Sequence, residues 1–443
     1  MNNTKLSTLW DSLRSSYWFV PALMAGVAMG LAFVTVTLDQ SGKSGPIENL
    51  GWVYAGGPDG ARTVLSTIAG SMITVAGTAF SIVIVALQLA SSQFGPRLLR
   101  NFMQDTGNQV VLGTFIATFI YCLLVLRTVR GDDYNVFVPQ LSVTVGIVLA
   151  IASIGVLIYF IHHASTSIQV WHVIGEVAKD LDHAIDRIFP RTIGQRLLEP
   201  KQRWVEEIPV GFDEEAFPIL ATGNGYLQAI DNEQLMKIAK SEDLLLRLEQ
   251  CPGKFIVQGS EIVKVFPGER VNEKLAKQIN EAFILGLERT EHQDVEFSIN
   301  QLVEIALRAI SPSINDPFTA IRCIDQLSAG LCRLAERDFP SPYRYDDENN
   351  LRVIADPVTF AELLDKAFNQ IRQYGQKDVA VIIRLLDAIA LIATRTHRKK
   401  DRAALRRHAE MIKRSSDEAI SEECDRKDIE ERYLGAIKAL EHR

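Results

Sequence analysis

Residues 64–94 run for thirty-one positions without one Asp, Glu, Lys or Arg. As a helix they would rise about 46 Å at 1.5 Å per residue, more than a hydrocarbon core of about 30 Å requires. The segment is read as membrane-spanning, and it is more polar than a lipid anchor needs to be. Thr67, Ser71, Thr74, Thr78, Ser81, Gln88 and Ser92 recur at steps of three, four or seven. That spacing keeps them within one sector roughly 100° wide at about 3.6 residues per turn. Val85 interrupts the series, and Gly70 and Gly77 lie beside it. Polar side chains at bilayer depth face protein or water rather than lipid. Two readings fit. Small and hydroxyl residues let membrane helices approach closely and hydrogen-bond across the contact. Copies of this helix around an axis would instead line a water-filled passage with neutral hydroxyls, constricted at Val85.

Three further apolar runs, 17–38, 110–126 and 136–161, complete a membrane domain over 1–163. The overall 47% hydrophobic content hides this asymmetry, because long apolar runs are confined to that part. Lys5 and Arg14 precede the first run, but it exceeds the ~7–15 residues of a signal-peptide core, so it is expected to stay as a helix. Four spans place both termini on one side. Loop charges lean only five to four, with Lys5, Arg14, Arg97, Arg100 and Lys179 set against Lys43, Arg62, Arg127 and Arg130. That bias decides little by itself; with the amino terminus inside, the carboxy-terminal part would be cytoplasmic. Gly95 and Pro96 offer a break at which the second span could kink. Arg97 and Arg100 behind it would favour anions at the inner mouth. The five cysteines include no CxxC pair, so neither a disulfide framework nor a zinc site is expected. A net charge of −7 does not fit a nucleic-acid binder, which shows a basic face.

The expected fold is therefore an α-helical polytopic membrane domain of four transmembrane helices, followed by a mostly helical α+β domain. Residues 164–203 read as a helical stalk and linker, on the recurrence of Ile168, Trp171, Ile174, Ala178, Leu181, Ile185 and Ile188. His172 and Glu176 along it have the i, i+4 spacing that can share a cation, although scattered histidines more often make ordinary hydrogen bonds. Residues 204–267 read as a small β-rich subdomain, barrel or sandwich. A hairpin is expected from 218–221 and 226–230 around Thr222-Gly-Asn-Gly, with further strands at 244–248, 254–258 and 261–266. Residues 268–443 read as helices at about 272–289, 299–310, 317–337, 357–374, 378–396, 401–415 and 425–441. The connection 338–356, with Pro340, Pro342 and Asp346-Asp-Glu, reads as one long loop, and loops of that length are commonly functional or mobile.

The densest polar constellation joins His292 and Asp294 to Arg308, Ser311, Asn315 and Asp316. Ser311, His292 and Asp316 supply the residue types of a nucleophile, base and orienter. Helix punctuation accounts for them more simply. Pro312 forces Ser311 out of the α region, Asn315 suits a turn, and Asp316 before Pro317 is an N-cap with proline at N1. A Gly-rich phosphate loop, an HExxH helix and a GxSxG elbow are all missing from the sequence. Neither a catalytic residue, a metal nor a cofactor is assigned.

Four segments carry a resemblance. They are Gly70-Ser-Met-Ile-Thr-Val-Ala-Gly-Thr-Ala-Phe-Ser81, Gln88-Leu-Ala-Ser-Ser-Gln-Phe-Gly-Pro-Arg97, Gly225-Tyr-Leu-Gln-Ala-Ile-Asp231 and Ser311-Pro-Ser-Ile-Asn-Asp-Pro-Phe-Thr-Ala320. Together they resemble a bacterial family of predicted membrane proteins of unknown function, over nearly the whole chain. The resemblance implies an inner-membrane protein with a cytoplasmic domain, and no reaction or ligand. Residues 252–265 also resemble the half-barrel repeat of biotinyl and lipoyl carriers, for shape alone, since the modified-lysine hairpin is absent. Near the carboxy terminus, basic residues from Arg395 to Arg414 precede acidic ones from Asp417 to Glu431. Such blocks could pair subunits, meet lipid headgroups, or simply be solvated. The functional expectation is a homo-oligomeric channel or transport-like protein in membrane lipid, passing a small ion along the second span. The alternative is a membrane-anchored sensor or scaffold whose cytoplasmic domain binds a ligand or protein.

Overall fold

The computed structural model describes residues 17–41, 54–95, 105–131, 136–167, 169–189 and 208–441. The chain divides into two compact units, residues 1–173 and 174–443. In the first, helices α1 (Phe19–Gln40), α2 (Pro58–Phe94), α3 (Thr106–Leu126) and α4 (Gln140–Ser167) follow one another. All four are long and apolar enough to cross a membrane. Helix α3 packs against the other three. Tyr121, Cys122 and Val125 of α3 meet Ala28 and Ala32 of α1, Ala61, Leu65 and Ala69 of α2, and Val143 of α4 in one core. Met72, Ala76, Ala79 and Val83 of α2 meet Val111, Phe115 and Phe160 in a second. Alanines supply four of the seven buried α2 residues in the two cores, which lets the helix axes approach closely.

The second unit opens within α5 (Val170–Ile188). Its apolar positions recur as expected, but the helix is not a free stalk. Ile174, Val177, Leu181, Ala184 and Ile185 are buried. Leu181 and Ile185 lie over Gly330, where an added Cβ would come within 2.7 Å of Leu181. Arg333 reaches Asp182 and Asp186, and Arg337 also reaches Asp186. The linker residues 190–203 lie outside the described residues.

Asp180, on the same helix, is half-buried. Burial, with the carboxylates of Glu291 and Glu176 nearby, pushes its pKa up to about 6. A carboxyl titrating higher in the folded than in the unfolded chain favours folding when protonated. Its cost is fully present above about pH 6 and fades towards the ordinary 3.8. Asp180→Asn is thus expected to raise the unfolding temperature at pH 8, with the gain shrinking through pH 5 and absent at pH 3.5. A gain independent of pH would contradict the assignment.

The β part differs from its expected layout. Strands β1 (Phe217–Leu220), β2 (Gly225–Ile230), β3 (Leu245–Leu248), β4 (Phe255–Ile256), β5 (Glu261–Phe266), β6 (Phe283–Gly286), β7 (Tyr343–Tyr345) and β8 (Leu351–Ile354) form two sheets, ordered β1-β5-β3-β8-β7 and β4-β2-β6. Neither sheet closes into a barrel. β1 and β2 are not hairpin partners, since β1 pairs antiparallel with β5 while β2 lies between β4 and β6. Pro218, which has no N–H to donate, sits in β1 at the sheet edge, where a strand proline is tolerated. The helix expected at 272–289 stops early, as α7 (Glu273–Asn280), and the chain turns into β6. β6 and the β7–β8 pair lie beyond residue 267, so the strands run past the expected end of the β-rich segment. Ten-residue α6 (Asn232–Ser241) is capped by Asp231, which accepts from Gln234 N at 3.0 Å.

The segment 338–356 is not an open loop either. Asp346 Oδ1 accepts from Glu348 N and Asn350 N, both at 2.9 Å, and Oδ2 accepts from Arg352 Nε at 2.7 Å. These bonds, with Asn349 at φ 65°, fold the acidic stretch into the turn joining β7 to β8.

Helices α8 (Val295–Ala309), α9 (Pro317–Ala335), α10 (Phe360–Tyr374), α11 (Val379–Arg395), α12 (Lys399–Ala419) and α13 (Glu423–Glu441) complete the unit. Thr359 and Glu362 form a capping box at the start of α10, and Asp378 caps α11.

Candidate functional site

The striped face of α2 points away from the packing of the described helices. Ala61, Leu65, Ala69, Met72, Ala76, Ala79, Val83 and Ala90 are buried. Thr67, Ser71, Thr74, Thr78, Ser81, Val85, Gln88 and Ser92 are all exposed. At 100° per residue the two sets lie on nearly opposite sides of the helix. A Cβ added at Gly70 or Gly77 would meet nothing within 4 Å, so neither glycine serves a close contact among the described residues.

The hydroxyls are held by their own helix. Thr67, Ser71, Thr74, Thr78 and Ser81 each donate to the carbonyl four residues back, at 2.7, 2.7, 2.8, 3.1 and 2.8 Å. Ser92 donates to Leu89 O at 2.8 Å. Each proton is thereby spent on backbone, which lowers the cost of a hydroxyl in an apolar setting and leaves oxygen lone pairs outward. Ile73, Phe80 and Ile84 flank the stripe on one side and Ile82 and Leu89 on the other, all exposed.

The other outer helices present a different surface. Exposed residues of α1 include Leu23, Val27, Met29, Leu31, Phe33 and Val34, and those of α4 include Val148, Ile151, Ile154, Ile158 and Ile161. Large aliphatic side chains suit lipid tails. Only the α2 stripe, among these described faces, is built of Gly, Ser and Thr. Gly95 closes α2 at φ 111°, a left-handed conformation suited to glycine. Pro96, Arg97 and Arg100 lie outside the described residues.

Two polar clusters at the helix ends were not anticipated from the sequence. Asp39, in the last turn of α1, accepts from Leu141 N at 3.1 Å, Ser142 N at 3.0 Å and Ser142 Oγ at 2.6 Å, so it caps the start of α4. Tyr121 OH donates to Ser142 O at 3.0 Å and lies 3.0 Å from Thr35 Oγ1, which ties α3 into the same cluster. The available signal was a conflict: an acid in a helix's last turn opposes the dipole and calls for a partner. In the second cluster, His163 Nε2 of α4 lies 2.6 Å from Asp105, the N-cap of α3, whose Oδ1 accepts from Gly107 N at 2.8 Å. Tyr159 stacks on His163, with centroids 5.3 Å apart.

In the second unit, the residues expected as one constellation occupy opposite ends of α8. Asp294 precedes the helix, and its Oδ2 accepts from Arg289 Nε at 2.9 Å and Nη2 at 2.6 Å. Burial pushes its carboxyl pKa up, and Arg289 opposes the shift. Gly253, at φ 91°, lies against this pair, and an added Cβ would approach Asp294 Oδ2 to 2.4 Å. The pair thus packs against the turn that leads into β4. Half-buried His292 lies at the same end. Fifteen-residue α8 then carries the chain about 22 Å before Arg308, Ser311, Asn315 and Asp316. There Arg308 lies 3.6 Å from Glu304, and Ser311 Oγ donates to Arg308 O at 2.6 Å. Asn315 adopts φ 54°. Asp316 caps α9 by accepting from Thr319 N at 3.2 Å and Thr319 Oγ1 at 2.6 Å. His292 is not brought to Ser311, so the residues do not assemble a nucleophilic triad.

The basic and acidic blocks are largely spent inside the unit. Arg402 donates to Ala393 O, Thr396 O, Ala439 O and Leu440 O. Arg398 binds Asp401 and Arg337 O, Arg395 meets Glu336, and Lys413 meets Asp417 and Glu430.

Comparison with known proteins places these features in a family. The family described as predicted membrane protein (DUF2254) matches residues 14–391. An uncharacterized protein of Mycobacterium bovis is 33% identical over 426 residues, covering 94% of this chain and 79% of that protein. Uncharacterized proteins from two strains of Mycobacterium tuberculosis match to the same extent. No solved structure matches the chain. With four apolar helices and a match across most of its length, the chain belongs to the DUF2254 family of predicted membrane proteins.

Proposed function

We propose that copies of this chain assemble in a bacterial cytoplasmic membrane, with their α2 helices around a neutral, hydroxyl-lined pathway for a small ion. The reading rests on the contrast between outer faces. α1 and α4 turn large aliphatic residues outward, while α2 turns out Thr67, Ser71, Thr74, Thr78 and Ser81 with Gly70 and Gly77. Lipid gives no reason for such a stripe, and contact with another copy or with water does. Outward lone pairs without fixed charge would select ions weakly, Val85 would form the constriction, and Arg97 and Arg100 would set the charge at the inner mouth. In this reading the carboxy-terminal unit is cytoplasmic.

Current through planar bilayers holding the purified protein tests it, under voltage and then under tension. Thr78→Asp and Val85→Asp are expected to change single-channel conductance severalfold while the oligomer persists in size-exclusion chromatography with light scattering. Silent bilayers with inserted, oligomeric protein would refute the pathway. They would leave a membrane-anchored sensor or scaffold whose carboxy-terminal unit binds a ligand.

A further inference from the structure

Helices α10 and α12 run side by side in the same direction. Asp365 of α10 accepts from His408 Nε2 at 2.7 Å, and Arg372 Nη1 donates to Ser415 Oγ at 2.8 Å, both with an offset of 43 residues. The two contacts are layers of one seam, seven residues apart. In the first layer α12 presents Arg407 and His408, and α10 supplies Asp365, which accepts from both. Seven residues on, α12 presents Arg414 and Ser415. Where the repeat would place the carboxylate, α10 carries Arg372. The second layer thus has the cations of the first and lacks its anion.

The imbalance is uncompensated among the described residues. Arg372 is half-buried, its Nε is buried without a hydrogen-bond partner, and its bonded partner is a neutral hydroxyl. Asp417, the carboxylate nearest in sequence on α12, is taken by Lys413, and among the described residues no ion pair joins Arg414 to Glu410 or Glu418. Burial, together with the Arg414 charge, lowers the Arg372 pKa. A guanidinium withdrawn from water without a counter-charge is costly. Arg372 stands in the last turn of α10, where the helix end offers about half a negative charge, while Arg414 lies short of the last turn of α12. Two cations against about half a negative charge leave the layer positive.

We infer that the seam between α10 and α12 binds an oxyanion of the phosphate class through Arg372 and Arg414, with Ser415 holding Arg372 in place. A planar guanidinium matches a tetrahedral oxyanion in charge and in the donor geometry of its Nη groups. Ser415 already donates to Met411 O at 2.7 Å, so it positions Arg372 and the two arginines bind the anion. Free phosphate and the phosphomonoester of a lipid headgroup share this chemistry.

The test is calorimetric titration of the full-length protein, in uncharged detergent, with inorganic phosphate and separately with short-chain phosphatidic acid. At least one is expected to bind with one site per chain. Arg414→Gln, an exposed position, is expected to weaken binding at least tenfold without altering thermal unfolding in phosphate-free buffer. Arg372→Asp, which copies the Asp365 layer, is expected to abolish binding and raise the unfolding temperature. Arg407→Gln, in the filled layer, should leave affinity within twofold. Binding of inorganic phosphate, alone or with the lipid, assigns a free anion, and binding of phosphatidic acid alone assigns a headgroup. Failure of both to bind, or binding indifferent to Arg414→Gln and Arg372→Asp, overturns the site.

Discussion

Arg402→Met is expected to lower the unfolding temperature by about 10 °C. Arg402 stands in the first turn of α12 and donates to Ala393 O and Thr396 O at the end of α11 and to Ala439 O and Leu440 O at the end of α13. Helix ends leave their last carbonyls without intrahelical donors, and Thr396 and Leu440 are buried. Methionine keeps much of the apolar stem and removes every donor. Hydrogen bonds to a charged group are worth about 1.5–3 kcal/mol each and do not add fully, so the net loss is about 3–4 kcal/mol. At roughly 2–4 °C per kcal/mol for a unit of this size, the shift follows. Thermal unfolding of the purified protein, read by circular dichroism, measures it. A change under about 2 °C would mean that water satisfies these carbonyls equally well.

That role also explains a misleading cue in the sequence. A basic block followed by an acidic one reads as complementary faces for another subunit or for lipid. The fold spends much of it internally, because Arg402 and Arg398 bind backbone carbonyls, which carry no residue type to detect. Legibility was high where the signal was local. The charge-free runs marked all four apolar helices, and Asp316 before Pro317 marked a helix start through the preference of short polar side chains for N-caps. It failed where partners are distant in sequence. β1 joins β5 across the Thr222-Gly-Asn-Gly turn, and β3 takes β8 as a parallel partner about a hundred residues on. No short-range pattern distinguishes those choices from the hairpin. Residues 338–356 looked like loop because the turn depends on Asp346 accepting from Arg352, a contact that exists only once β8 is in place.

The outward stripe of α2 was legible as a pattern, whereas its direction was not. Periodicity put Thr67 to Ser92 on one face. Deciding whether that face met α1, α3 and α4 required knowing that the alanines of α2 pack against α3. The resulting division of labour is physical. Small apolar residues bring α2 close to its own bundle, while small polar residues remain for whatever covers the other side.

Asp39→Ala is expected to loosen the four-helix unit by about 2–3 kcal/mol. The carboxylate binds two backbone N–H groups and one hydroxyl at the start of α4. Loss of an N-cap costs about 1 kcal/mol in water, and an orphaned buried donor costs about 1–3 kcal/mol. The damage should spread, since Ser142 also anchors Tyr121 and through it Thr35 of α1. Cys122 adjoins Tyr121 and is fully buried in the core shared by all four helices. Its maleimide labelling therefore reports opening of that core. In a chain whose other four cysteines are serine, labelling of Asp39→Ala should run about 30–140 times faster than in the parent, since each 1.4 kcal/mol is tenfold. Asp39→Asn, which keeps one acceptor oxygen, should fall between them. Equal labelling rates in all three chains would show that α4 starts stably without this cap, and would leave the burial of Cys122 to the packing of Tyr121 and Val125 alone.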